Sequence, residues 1–298
     1  MSIIAVVGRW AVTNLPTVVK GIKKAASLVE KGATYVDTLM EGRAILTEDA
    51  KHASSSPPPR TKAARPDIMG DTEESDEPYS QLVAQIDESK KQLKTVESEN
   101  LSEHKRIQLQ IDMMELIVSA STIERFTNNI NIHAANLQIH LQTIQNTAGL
   151  LDSVNRQRVA IKTIMRTVNH LINTTGSKGT VDPIAGIDIE MREGSISIYG
   201  AYEAFENTKS LLLGEIGCYL TALDDQSDRI ESVRAAARQA PKLRAKINDW
   251  IESSLEPSLN DAKSLASELQ GDLTVLPALE TTLKRNLKEA VESDEEKI

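Results

Sequence analysis

Leu15, Val18, Val19, Ile22, Ala26, Val29, Ala33, Val36 and Met40 follow one another at three- and four-residue steps, which places them on one face of an α-helix. Asn14, Leu15 and Pro16 supply a cap and a first-turn proline, so the spacing predicts an amphipathic helix within residues 1–50 that begins near Asn14. A second helical pattern fills 81–173, where there is no proline and a single glycine, Gly149. Within it Leu137, Leu141, Ile144, Ala148 and Leu151 keep a four-three step. Val154, Ile161, Met165, Val168 and Ile172 continue it after a slip near Asp152, so one very long helix or two joined by a small break would fit. Around Glu193 and Gly194 the pattern changes. Ile187, Ile189, Met191, Ile196 and Ile198 alternate with polar residues, the signal of a β-hairpin over 187–199. Helical spacing resumes near Tyr202 and runs to Gln239, where Pro241 breaks or kinks it.

These patterns divide the chain into an N-terminal amphipathic helical segment (1–50), a linker (51–80) and an elongated helical bundle (81–298). The linker holds Pro57, Pro58 and Pro59 and an acidic run from Asp71 to Glu77, which cannot form a packed element and makes a semi-extended tether. The expected fold is all-α: a long antiparallel helical hairpin or bundle with a small β-hairpin at its tip and an N-terminal helical arm. An aromatic content of only 3% fits extended helical packing better than an enzyme with an aromatic-lined pocket.

From Phe126 to Leu151 the chain runs 26 residues without Asp, Glu, Lys or Arg. Asn, Gln, Thr and His alternate there with aliphatic residues, too polar for a bilayer and too uncharged for an ordinary solvated face. A buried helix in a bundle or an assembly is expected, with Leu137, Leu141, Ile144 and Leu151 as its core. His133 and His140, seven apart, share a face as part of a polar layer or a pH-sensitive contact.

Charge and composition narrow the chemistry. A net charge of −9 argues against nucleic acid as the default partner. The one cysteine, Cys218, excludes an intramolecular disulfide and any Cys-based zinc site, and is expected to be a small buried apolar group. No two histidines stand three or four apart, so no helical metal pair is expected. The GSKGT run at 176–180 lacks phosphate-loop spacing, and no GxSxG or HExxH occurs. The chain is therefore expected to be non-enzymatic, without cofactor, metal or small-molecule substrate. No stretch reaches the roughly 18–20 apolar residues of a spanning helix. Basic residues follow the first apolar stretch instead of preceding it, so a soluble chain without an export signal is expected.

Two features point to partners. Residues 1–29 carry Arg9, Lys20, Lys23 and Lys24 and no acid, so Trp10, Leu15, Val18, Val19 and Ile22 with those lysines suit docking on the chain's own bundle, a partner or an anionic membrane surface. Two basic stripes, Arg158, Lys162, Arg166 and His170, then Arg234, Arg238, Lys242 and Lys246, recur every four residues and suit either an acidic surface or internal ion pairing.

A long helix, a tip hairpin and a returning helix over 81–240 are similar in layout to the α-helical pore-forming toxins of the cytolysin A type. The tip element of that family is strongly apolar, whereas this segment carries Asp188, Glu190, Arg192 and Glu193. The leading expectation is a helical assembly or scaffold protein that oligomerises, with itself or another protein, and docks its N-terminal arm. A component of an α-helical toxin and a viral or phage structural protein are the alternatives.

Overall fold

The computed structural model describes residues 3–53, 77–95, 101–174 and 185–276, with 278 and 285 as isolated positions. The described chain is nearly all helical and contains no strand. Its elements are α1 (Ile3–Ala53), α2 (Glu77–Thr95), α3 (Leu101–Val118), α4 (Ala120–Thr174), α5 (Ala185–Ala237), α6 (Pro241–Trp250), a π-helical turn (Ile251–Leu255) and α7 (Glu256–Thr274). Most of the 51–80 linker, the 176–180 run and the acidic C-terminal tail lie outside the described residues. Residues 51–53 belong to α1 and 77–80 to α2.

Three long helices share one internal logic. Their inward positions alternate three- and four-residue steps, the 3.5-residue repeat that keeps a seam facing its neighbours. In α4 the buried series runs Ala120, Ile123, Thr127, Ile130, Ala134, Leu137, Leu141, Ile144, Ala148 and Leu151. In α1 it runs Val7, Ala11, Asn14, Val18, Gly21, Ala25, Leu28, Gly32, Tyr35, Leu39 and Gly42. That seam differs in phase from the aliphatic face expected from the sequence: Val18 and Val36 are buried, Leu15, Val19, Ile22 and Val29 are half-buried, and Ala26 and Ala33 are exposed. Glycine on the seam lets the backbone come close to its neighbours. A Cβ on Gly32 would lie 2.5 Å from Thr127 Cγ2, and one on Gly42 would lie 2.6 Å from the Trp250 ring.

The expected start near Asn14 is also corrected. α1 begins at Ile3 and passes through Pro16, and Asn14 is buried with its Nδ2 donating to the Trp10 carbonyl at 2.9 Å. The asparagine satisfies its amide on its own helix instead of capping it.

The β-hairpin expected at 187–199 is absent, because those residues form the beginning of α5. The same apolar residues satisfy two periods. Read by threes and fours, Ile187, Met191, Gly194 and Ile198 make a helical stripe that continues through Tyr202, Phe205, Leu212, Ile216 and Tyr219. Gly194, at the centre of the expected hairpin, sits in the helix where a Cβ would collide with the Leu151 side chain. A close helix contact, and not a turn, accounts for it.

The chain separates into two compact units. The first draws on residues 1–23, 132–214 and 271–298. Its described core includes Val7, Ala11, Val18, Leu137, Leu141, Ile144, Ile198, Tyr202, Phe205 and Leu212, all buried. Trp10 packs edge-on against Tyr202 and Phe205 at ring distances of 5.5 and 5.4 Å. The second unit draws on 24–131 and 215–270. There Gln226, 2% exposed, accepts from Tyr35 Oη at 3.0 Å and donates to Ser119 Oγ at 2.5 Å. That bridge reaches the one-residue break between α3 and α4.

Proline shapes the end of the second unit. Pro241 opens α6 after the Ala240 cap, as expected from the sequence. Pro257 offers no N–H to the carbonyl at Ser253, and the π turn just before it widens the helix where its ring must fit. Trp250, at the end of α6, donates its indole N–H to the Thr38 carbonyl at 3.0 Å.

Candidate association surface

The charge-free stretch has two faces. One is the buried seam of α4, which holds Leu137, Leu141, Ile144 and Leu151. The other is exposed along its whole length and continues past the stretch to Leu171. Its apolar members are Ile132, Ile139, Leu150, Ile164 and Leu171, each between 56% and 68% exposed. Between them stand small residues (Ala135, Gly149, Ser153, Ala160) and neutral polar ones (Gln142, Asn146, Gln157, Thr167), all exposed. Successive members are three or four residues apart, so this face repeats the spacing of the inward seam. No charged side chain interrupts it over about 58 Å of helix, at 1.5 Å per residue. The whole face belongs to the first unit. Scattered exposed aliphatics are ordinary, but a continuous uncharged row at seam spacing is not.

Beyond Leu151 no described residue of α4 is fully buried. Val154, Ile161 and Met165, expected to continue the core, are half-buried, and Val168 is exposed. His133 and His140 are both half-buried.

The basic stripes include ion pairs and several exposed side chains. Arg158 meets Asp188 at 2.7 Å, and Arg234 meets Glu256 at 2.8 Å as well as Glu231. Lys162, Arg166, His170, Arg238 and Lys246 are exposed, while the Lys242 side chain lies outside the described residues. Of the hairpin residues, Ile187 and Met191 are half-buried, Ile196 is exposed and Ile198 is buried. The Ile189 side chain lies outside the described residues.

The N-terminal lysines are engaged within the chain. Lys20 pairs with Asp272 at 3.5 Å in the first unit. In the second, Lys24 meets Glu268 at 2.9 Å and Lys31 meets Asp261 at 2.6 Å, which runs α7 antiparallel to α1 there. Lys23 is exposed. Cys218, expected inside, is exposed.

Burial, with no compensating cation, moves several groups in the second unit. It raises the Tyr35 and Tyr219 hydroxyls well above the usual phenol range, with Tyr219 adding to the rise at Tyr35. It also raises the Asp112 carboxyl, against a 2.7 Å hydrogen bond from Gln108 Nε2 that favours the ionised form. None of these groups sits in a cluster of metal-binding residues, and no such cluster occurs among the described residues.

Fold and surface together define an all-α helical-bundle protein with no described helix long and apolar enough to cross a membrane. The sequence matches no protein-family model, and no curated protein or solved structure shows significant similarity to it. The outer face was not expected from the sequence, because the inner seam is the stronger apolar stripe of the same helix. The signal was available in the seven-residue spacing of Ile132 and Ile139 and of Gln157, Ile164 and Leu171.

Proposed function

We propose that this is a non-enzymatic helical assembly or scaffold protein that acts by associating through the outer face of α4. The observation that carries this is the exposed, uncharged row from Ile132 to Leu171, set at the spacing of a helix-packing seam. The arm expected to dock outward is a weaker candidate, because Val18 is buried and Lys20 and Lys24 are ion-paired within the chain. Light-scattering mass over a dilution series, with and without anionic liposomes, tests the role. The parent should exceed the 32.7 kDa monomer or bind the vesicles, and an Ile139→Glu, Ile164→Glu double variant should do neither. A parent that stays monomeric and leaves vesicles unbound defeats the proposal.

A membrane-active role of the toxin type is the second reading. Its support is that no described side chain of α4 beyond Leu151 is fully buried and that Val159 and Ile164 are exposed, as are Lys162 and Arg166. Dye release from anionic vesicles would favour it, and intact vesicles at saturating protein would remove it.

A further inference from the structure

We infer that the outer face of α4 pairs with the same face of a second copy of this chain, antiparallel, about a two-fold axis between Leu151 and Asp152. This rests on the assembly role proposed above and adds the identity and direction of the partner.

The order of residues along the face carries the inference. An antiparallel pair centred at that point brings Ile132 opposite Leu171 of the second copy, Ile139 opposite Ile164, Asn146 opposite Gln157 and Leu150 opposite Ser153. Apolar meets apolar, amide meets amide, and at the axis a large side chain meets a small one. Each contact occurs twice, as an isologous interface requires. Gly149, with nothing within 4 Å of a Cβ placed on it, leaves room beside the axis for the second backbone.

Charge does not oppose the pairing. At about 100° per residue Lys162 and Arg166 project roughly 150–170° around α4 from the centre of the face. Arg156, exposed at the edge of the face, is ion-paired with Asp152 of its own helix.

Area is consistent with a stable pair. A strip about 58 Å long and about 10–12 Å wide covers roughly 600–700 Å² per copy, close to the ~800 Å² per partner of a standard interface.

Disulfide trapping tests the geometry in the full chain, with Cys218→Ser removing the one native thiol. Ile139→Cys and Ile164→Cys are each made separately, at exposed positions, and mixed under mild oxidation. The mixture should give at least tenfold more covalent dimer than either variant alone, and Leu150→Cys mixed with Ser153→Cys should behave likewise. Equal dimer from Ile139→Cys alone would mean parallel pairing and overturn the inference. No trapped dimer, with a monomeric mass at every concentration, would overturn it too. In that case vesicle binding by the monomer would leave the assembly role standing, and its absence would remove both.

Discussion

Replacing Gly42 by alanine sets two well-known effects against each other. Alanine in a helix interior is favoured over glycine by about 1 kcal/mol, so a bare propensity argument predicts a gain. The new methyl would lie 2.6 and 2.7 Å from two ring carbons of Trp250. That ring is 6% exposed and its N–H is tied to the Thr38 carbonyl at 3.0 Å, so it has little freedom to retreat. Overpacking costs about 1–3 kcal/mol. If the indole moves, its hydrogen bond contributes a further loss of about 0.5–1.5 kcal/mol. With that bond lost, the balance is a destabilisation of about 0.5–3.5 kcal/mol after the propensity gain is subtracted. Urea unfolding followed by far-ultraviolet circular dichroism should show a lower midpoint at unchanged slope. Gly214→Ala is the matched control, since Gly214 is exposed, lies within α5 and has nothing within 4 Å of a Cβ. It should gain up to about 1 kcal/mol. A Gly42→Ala protein as stable as the parent would refute the close approach of α1 to Trp250.

Other perturbations probe other parts of the structure. Gln226→Leu should cost about 1–3 kcal/mol by stranding the buried Tyr35 hydroxyl, while Ser119 keeps its bond to the Leu116 carbonyl, and adding Tyr35→Phe should recover part of the loss. A double-mutant cycle in urea reads the coupling, and strict additivity would remove the bridge. Leu141→Ala should cost about 2–5 kcal/mol and Leu141→Asp more, because the side chain is 1% exposed. A mild effect on the thermal midpoint would mean the inner seam is not packed. Asp112 has a folded-state pKa raised by burial, so the native state holds its proton more tightly than the unfolded chain. Its contribution therefore favours folding at acid pH and is lost as pH rises through the ordinary carboxylate range to the raised value. The stability of Asp112→Asn relative to the parent should consequently shrink as pH falls across that window, and a constant difference in urea midpoints would contradict the assignment.

Helicity was legible because long stretches without proline carry three-four spacing, and Pro241 marked its boundary for the reason expected. The phase of α1 was not. Large aliphatics such as Val19 and Ile22 outweigh glycine on any hydrophobicity argument, yet Gly32 and Gly42 hold the inner seam, since closeness and not apolar area decides that contact. The 187–199 segment failed differently: alternation and helical spacing coexist in the same five apolar residues, and Gly194, at the centre of the expected hairpin, accommodates Leu151. The exposed face of α4 was hidden by its composition, because amides and small residues dilute its five large apolar positions.

The π turn before Pro257 bears on how this sequence can change in length. Leu243, Ile247, Ile251, Leu255 and Leu259 are all buried at four-residue intervals. Four such steps would carry a stripe about 160° around an ideal α-helix, from the inside to the outside. The wider turn absorbs most of that rotation, about one residue's worth. Losing one residue between Ile251 and Leu255, together with Pro257→Ala so that no ring presses on the narrower turn, would give an ordinary α turn with steps of four, four, three and four and keep Leu243 and Leu259 inward. A single-codon deletion, ruinous elsewhere in a helix with a buried seam, would have a structural remedy at this point of the chain.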